Sequence, residues 1–401
     1  MLKIYTAYTT ELDDVDGALA EIIARIDLNG LAKNSVGLIS CYSEFIDTGI
    51  IAALSEKLPF DIIGATTMAS SSGRGPHPLG SVEAPDSAGN YGMYSLGLTV
   101  LTSDDTCFQT AISAPLTPGG YEESLSTAYH DALGKLPGDP SLIFAFLPLV
   151  SDFSTSGVVE SLNVLCKGVP IFGTVSGDVT LTQENCYTLR NGQGEKRAAA
   201  LLLIHGAVNP RFIVSSLPDK NIGRQKAVVT ESEGCLVKKV NGVTLLEYLK
   251  DMGIVPRISS GIGTVKEPFM VDYGNGSKRV ALRAHNILEN GDALFSGPMP
   301  QGVTFSIGQV DRDGIIGTAQ EALHKILEDG DAQGAVIFTC MSRYIMLTPN
   351  KDDEMKTIQE YLGGKIPYAH SYSGGEICPV YGEDGKTYNH LHGYSFVACV
   401  F

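Results

Sequence analysis

Two charged residues, Arg343 and Glu376, each follow an apolar, strand-like run by only a few positions. Arg343 closes Cys340-Met-Ser-Arg343 after residues 335–340. Glu376 closes Ser371-Tyr-Ser-Gly-Gly-Glu376 after residues 366–370. In open α/β sheets, ligands gather at the carboxyl ends of strands. An arginine there can hold a carboxylate through two parallel hydrogen bonds. A glutamate nearby can hold an amine, so the pair could recognise a zwitterion such as an amino acid. The plainer reading pairs Arg343 with a structural acid, or with Glu376 itself. Cys340 is a candidate nucleophile, but no local residue marks a partner base, and a reduced, buried thiol is the simpler reading. Ser373 adds a hydroxyl beside Glu376.

A second motif, Gly173-Thr-Val-Ser-Gly-Asp178, also leaves an apolar strand directly. Gly173 and Gly177 let the backbone turn and approach a ligand, while Ser176 and Asp178 bring a hydroxyl and a carboxylate. The alternative is a plain turn needing a left-handed residue. Asn389-His-Leu-His392 carries Asn389 and His390 toward the same list. Its two histidines share one face of a strand, yet four ligands at zinc spacing are not visible. Nucleotide-binding, serine-hydrolase and zinc-peptidase signatures are missing.

The elements that must position these residues repeat three times. Residues 36–64, 142–173 and 335–370 each read as strand, helix, strand, and polar residues follow each. A further apolar strand closes each unit at 94–101, 198–205 and 394–401. An earlier strand and helix open each one: 2–8 with 13–26, 108–112 with 121–133, and 303–307 with 315–327. The unit is thus β-α-β-α-β with added antiparallel strands, a helix-on-sheet α/β design. Two domains are expected. The first, 1–215, holds two repeats. The second, 216–401, holds a strand-rich insert at 216–300 and the third repeat at 301–401. Residues 71–90, rich in Gly, Pro and Ser, read as a loop.

The 401 residues carry a net charge of −16 with 43% hydrophobic content. That acidity argues against nucleic acid and anionic membranes as partners. The chain opens in the strand-like Leu2-Lys-Ile-Tyr-Thr6, so no secretory leader is expected, and no apolar run approaches bilayer length. Eight scattered cysteines without a C-x-x-C pattern suggest reduced thiols in the cytoplasm.

Taken in order, these motifs resemble the FIST family, paired N- and C-terminal domains of bacterial signal-transduction proteins. The N-terminal likeness rests on Gly173-Thr-Val-Ser-Gly-Asp178, Tyr187-Thr-Leu-Arg-Asn-Gly192 and the strand at 198–205. The C-terminal likeness rests on Cys340-x-x-Arg343, Gly375-Glu-Ile377 before Pro379, and Tyr388-Asn-His390. The phrase Val237-Lys-Lys-Val-Asn-Gly-Val-Thr-Leu-Leu-Glu-Tyr248 joins them. The resemblance implies a non-catalytic sensor of a small molecule such as an amino acid. It implies signalling through a separate histidine kinase or cyclic-di-nucleotide enzyme, since no transmitter or cyclase motif is present. Some relatives bind haem and sense nitric oxide. A cofactor-free sensor is expected here, with a haem-based gas sensor and a thiol hydrolase at Cys340 as alternatives. The expected roles are Arg343 on an acid group, Glu376 on an amine, and Ser176, Asp178 and Asn389 completing the polar lining.

Overall fold

The computed structural model describes residues 2–74, 90–180, 183–259, 262–328 and 330–401. Each of the three repeats builds one six-stranded sheet. In the first, the order is Lys3–Thr9, Leu96–Ser103, Asn34–Cys41, Ile62–Thr66, then Thr188–Arg190 and Gln193–Glu195. In the second it is Cys107–Ile112, Ala200–His205, Leu142–Leu147, Ile171–Val175, then Gly375–Tyr381 and Thr387–His392. In the third it is Arg211–Ser215, Phe396–Val400, Ala335–Cys340, Tyr368–Ser373, then Ser70–Gly73 and Asn90–Gly92. The central pair of each sheet is parallel and joined by helix; every other pairing in it is antiparallel.

The last two strands of each sheet belong to a different repeat. The first repeat lends its hairpin to the third, the second to the first, and the third to the second. The exchange closes a ring with pseudo-threefold symmetry. Three backbone hydrogen bonds at equivalent positions seal it: Gly177 N to Thr66 O at 2.9 Å, Met68 N to Tyr372 O at 3.2 Å, and Gly374 N to Val175 O at 3.0 Å.

The strands are buried on both faces, which is why they read as continuous apolar runs rather than alternating ones. Inner faces of all three sheets meet in one cluster that includes Leu38, Ile63, Phe144, Phe146, Phe172, Val336, Phe338 and Val397. Outer faces pack against helices in three further clusters. Helices Val15–Ala24, Thr155–Cys166 and Arg312–Leu327 start on side-chain caps from Asp14, Ser154 and Asp311, each satisfying one otherwise orphaned N–H.

Two expectations change here. The third repeat opens with Arg211–Ser215, which pairs with Phe396–Val400, and not with 303–307. Thr304–Ile307 instead pairs with Ala227–Glu233 and Phe269–Asp272. The boundary drawn at 215/216 therefore falls inside the third repeat, after its first strand. A nine-stranded sheet with its own apolar core is inserted at that point. Second, the stretch read as a loop at 71–90 begins and ends in strands, because the third sheet pairs with it; residues 75–89 lie outside the described residues. The protein is α/β. Along the sequence it forms two domains, and the three repeats are interlocked in space by the exchanged hairpins.

Candidate functional site

The carboxyl ends of the three parallel pairs meet around the pseudo-threefold ring. Thr67, Ser176 and Ser373 occupy equivalent positions there, and all three are buried. Ser176 Oγ accepts from Leu149 N at 3.0 Å. Ser373 Oγ donates to Glu376 Oε1 at 3.2 Å, and Thr67 Oγ1 donates to Tyr372 O. Gly177 supplies one of the three ring N–H groups. Asp178 is buried and accepts from Ser43 Oγ at 3.3 Å and Thr180 N at 2.9 Å.

Glu376 pairs across its ladder with Thr174. The equivalent ladder positions in the other sheets hold Ser70, opposite Ser371, and Thr188, opposite Ala65. A hydroxyl is thus enough for the fold at two of three copies, and the carboxyl at the third is an added feature. Ser395 Oγ donates to Glu376 Oε2 at 2.6 Å. Burial raises the Glu376 pKa from 4.5 to about 8, against the lowering effects of Ser395, Ser373 and Arg343. Burial also pushes the Cys340 thiol up to about 12, and the neighbouring Glu376 adds to the rise. Cys340 is therefore a protonated thiol near neutral pH.

Arg343 does not hold an open position for a ligand acid. It is 1% exposed, and Glu354, 0% exposed, is its ionic partner. Nε donates to Glu354 Oε1 at 2.9 Å, and Nη2 donates to Glu354 and to Ile315 O at 2.8 Å. Nη1 is shared among Ser216 O, Thr318 Oγ1 and Tyr394 O at 3.2–3.4 Å. All five guanidinium N–H groups are accounted for. The expectation that Arg343 clamps a ligand carboxylate is corrected to a structural clasp; its charge reaches Glu376 only at a distance.

Three more residues leave the proposed lining. Asn389 sits at the amino end of Ile171–Val175, where Oδ1 accepts from Ile171 N at 2.8 Å and Nδ2 donates to Val169 O and Asn163 Oδ1. His390 stacks on Tyr273 with ring centroids 4.9 Å apart, and burial drops its pKa to about 3. Gly173 is mid-strand, and a Cβ there would lie 1.9 Å from Ala145 O; Gly64 repeats this at 1.8 Å from Ile39 O. Both glycines serve close backbone approach between parallel strands.

Above the ring lies a groove of about 540 Å³, lined by Gly92, Met93, Tyr94, Tyr344, Pro349 to Asp352, and Lys356. None of these was singled out from sequence. Tyr344 sits on Tyr372 with ring centroids 4.9 Å apart. Tyr372 OH donates to Glu354 Oε2 at 2.8 Å, and Glu354 holds Arg343. The groove floor is therefore two contacts from the clasp. Arg343 in turn touches Ser216, where the chain leaves for the insert, and Ile315, just after its return. Tyr394 ties the same node to the insert through its OH on Lys266 O at 2.8 Å.

The FIST N domain model matches residues 35–243, and the FIST C domain model matches residues 245–379. The chain belongs to the FIST family. FIST domains are associated with sensory signal transduction. Uncharacterized proteins of Mycobacterium bovis and Mycobacterium tuberculosis are each 28% identical over 187 residues, which is 43% of this chain and 46% of each relative. The FIST chain thus spans about half the length of these curated relatives. Two cyanuric acid hydrolase structures, one from A. caulinodans, align over 100% of this chain and 98% of theirs, at TM-scores of 0.37 and 0.36 and identities of 9% and 6%. Likeness at that level carries nothing about chemistry.

A haem does not fit at His370. This residue borders a cavity of about 20 Å³, room for a single water. It is held between Thr339 Oγ1 at 2.7 Å and Ser71 Oγ at 3.0 Å. The two larger grooves have no histidine in their linings. Among the described residues, no group of three or more His, Cys, Asp or Glu is placed to hold a metal.

Proposed function

We propose that this FIST chain is a non-catalytic sensory protein that binds a small ligand in the groove beside Tyr94 and Tyr344 and transmits its presence to the nine-stranded insert. The observation that carries the reading is the run of contacts from Tyr344 through Tyr372 and Glu354 to Arg343, which grips the chain on both sides of the insert. A sensor needs a receptor surface joined to a second body, and this path supplies the join. The ligand is an amino acid or similar small carboxylate, met by Lys351 and Lys356 in place of Arg343. The inert setting of Cys340 favours binding over thiol chemistry. Eight free cysteines favour the cytoplasm, and no described helix is long and apolar enough to cross a membrane. The output goes to a separate histidine kinase or cyclic-di-nucleotide enzyme.

A thermal-shift screen of the intact chain against amino acids, small carboxylates and amines tests the reading, since a ligand that binds the native state raises stability by RT ln(1 + [L]/Kd). A hit should also change hydrogen exchange at residues 216–222 and 308–315, while Tyr372→Phe keeps binding and loses that change. A panel without a single hit, or a hit that leaves both junctions untouched, sinks the proposal.

A further inference from the structure

The groove has a local charge opposite to that of the whole chain. Its charged lining is Lys351 and Lys356 against Asp352, two cations to one carboxylate, in a protein of net charge −16. Among the described residues no ion pair engages either lysine. Beneath them, Arg343 and Glu354 cancel each other. Lys351 Nζ lies 5.6 Å from the Tyr344 ring centroid, a cation–π contact that keeps the ammonium at the groove wall. Burial holds the Tyr344 phenol up at about 12, with Asp352 adding to the rise, so it stays neutral.

The shape is equally particular. Tyr94 is 56% exposed. Tyr42 braces it in a T-shaped contact at 5.0 Å. The ring is thus held in place while part of its surface stays open to a ligand. Met93 and Pro349 extend the apolar surface, and Asn350 adds an amide.

We propose that this groove binds a small anion with a flat aromatic ring, an aryl or arylalkyl carboxylate, with its ring on Tyr94 and its carboxylate between Lys351 and Lys356. The proposal rests on the sensor reading above and names its ligand class. An aliphatic zwitterion fits less well, because its ammonium would meet two lysines and it has no flat face for Tyr94.

Isothermal titration calorimetry of the intact chain tests this with 4-hydroxyphenylacetate, its neutral amide, cyclohexylacetate and glycine. The acid should bind. The amide should bind roughly ten- to a hundredfold more weakly, the scale of a lost charge-assisted bond. Lys356→Ala should weaken the acid in the same direction, and Tyr94→Ala should weaken it about two- to tenfold, the scale of an aromatic pair. Cyclohexylacetate should lose the Tyr94 dependence. Equal binding of acid and amide, or binding indifferent to both variants, overturns the proposal. Tight glycine binding that ignores both variants overturns the aromatic anion and leaves the sensor reading standing. Silence across this set and the wider screen removes both.

Discussion

Removing the Arg343 side chain strands Glu354 at 0% exposure, with Tyr372 OH as its remaining partner. Breaking one side of a buried ion pair costs about 3–5 kcal/mol. Arg343→Ala should therefore lower the denaturation midpoint sharply. The double variant Arg343→Met with Glu354→Leu should recover much of the loss, and equal losses in both would show that the pair is not what Arg343 supports. Glu376 gives a prediction in pH. Its folded pKa, about 8, stands above the ordinary 4.5, so between those values the folded state holds a proton that the unfolded state has released. Stability from this group is complete below about pH 4.5 and falls as pH rises toward 8. Glu376→Gln should flatten that slope, read as denaturation midpoints at pH 5 and pH 8. An unchanged slope would place the titration elsewhere. At this scale the sequence was half legible. The strand ends led to Ser176, Asp178, Ser373 and Glu376, which the structure shows as buried polar groups beside those ends. Arg343 was misassigned because its partner sits on a helix, yet Glu354 falls on the same face as Ile358 and Leu362, at i+4 and i+8. Asn389 and His390 are neighbours in a strand and so face opposite ways, which already separates them from one shared site.

At the scale of elements, the strands and helices of the three repeats follow from their apolar runs, and the insert's strands follow from its turn-rich pattern. Which strand joins which sheet does not. Arg211–Ser215 looks like the tail of the first domain because its partner, Phe396–Val400, comes almost two hundred residues later. Ser70–Gly73 looks like loop because hydroxyls dominate it, and it becomes a strand only when Tyr368–Ser371 supplies its ladder. Hairpin exchange makes each sheet depend on another repeat. A fragment ending at residue 215 keeps Thr188–Glu195 for the first sheet but lacks Gly375–His392 for the second. Its strand Ile171–Val175 then has an open edge, and open edges seek other chains. Size-exclusion chromatography should find this fragment oligomeric or aggregated; a stable, cooperative monomer would show that the exchange is dispensable.

For the whole molecule, the threefold arrangement was legible as repetition, and its closure was not, because ring closure is a relation among distant backbone groups. That distance has a consequence for synthesis. Ser71 and His370, hydrogen-bonded in the finished protein, are 299 residues apart. At translation rates of about 5–20 residues per second, the first hairpin waits roughly 15–60 s for its partner to be made. An apolar strand left unpaired for that long beside a ribosome would invite aggregation. Ser70-Ser-Ser-Gly73 is polar enough to wait in water, although the same residues end at 3–5% exposure for the three serines. The serine run that hides this strand in the sequence keeps it polar through that wait.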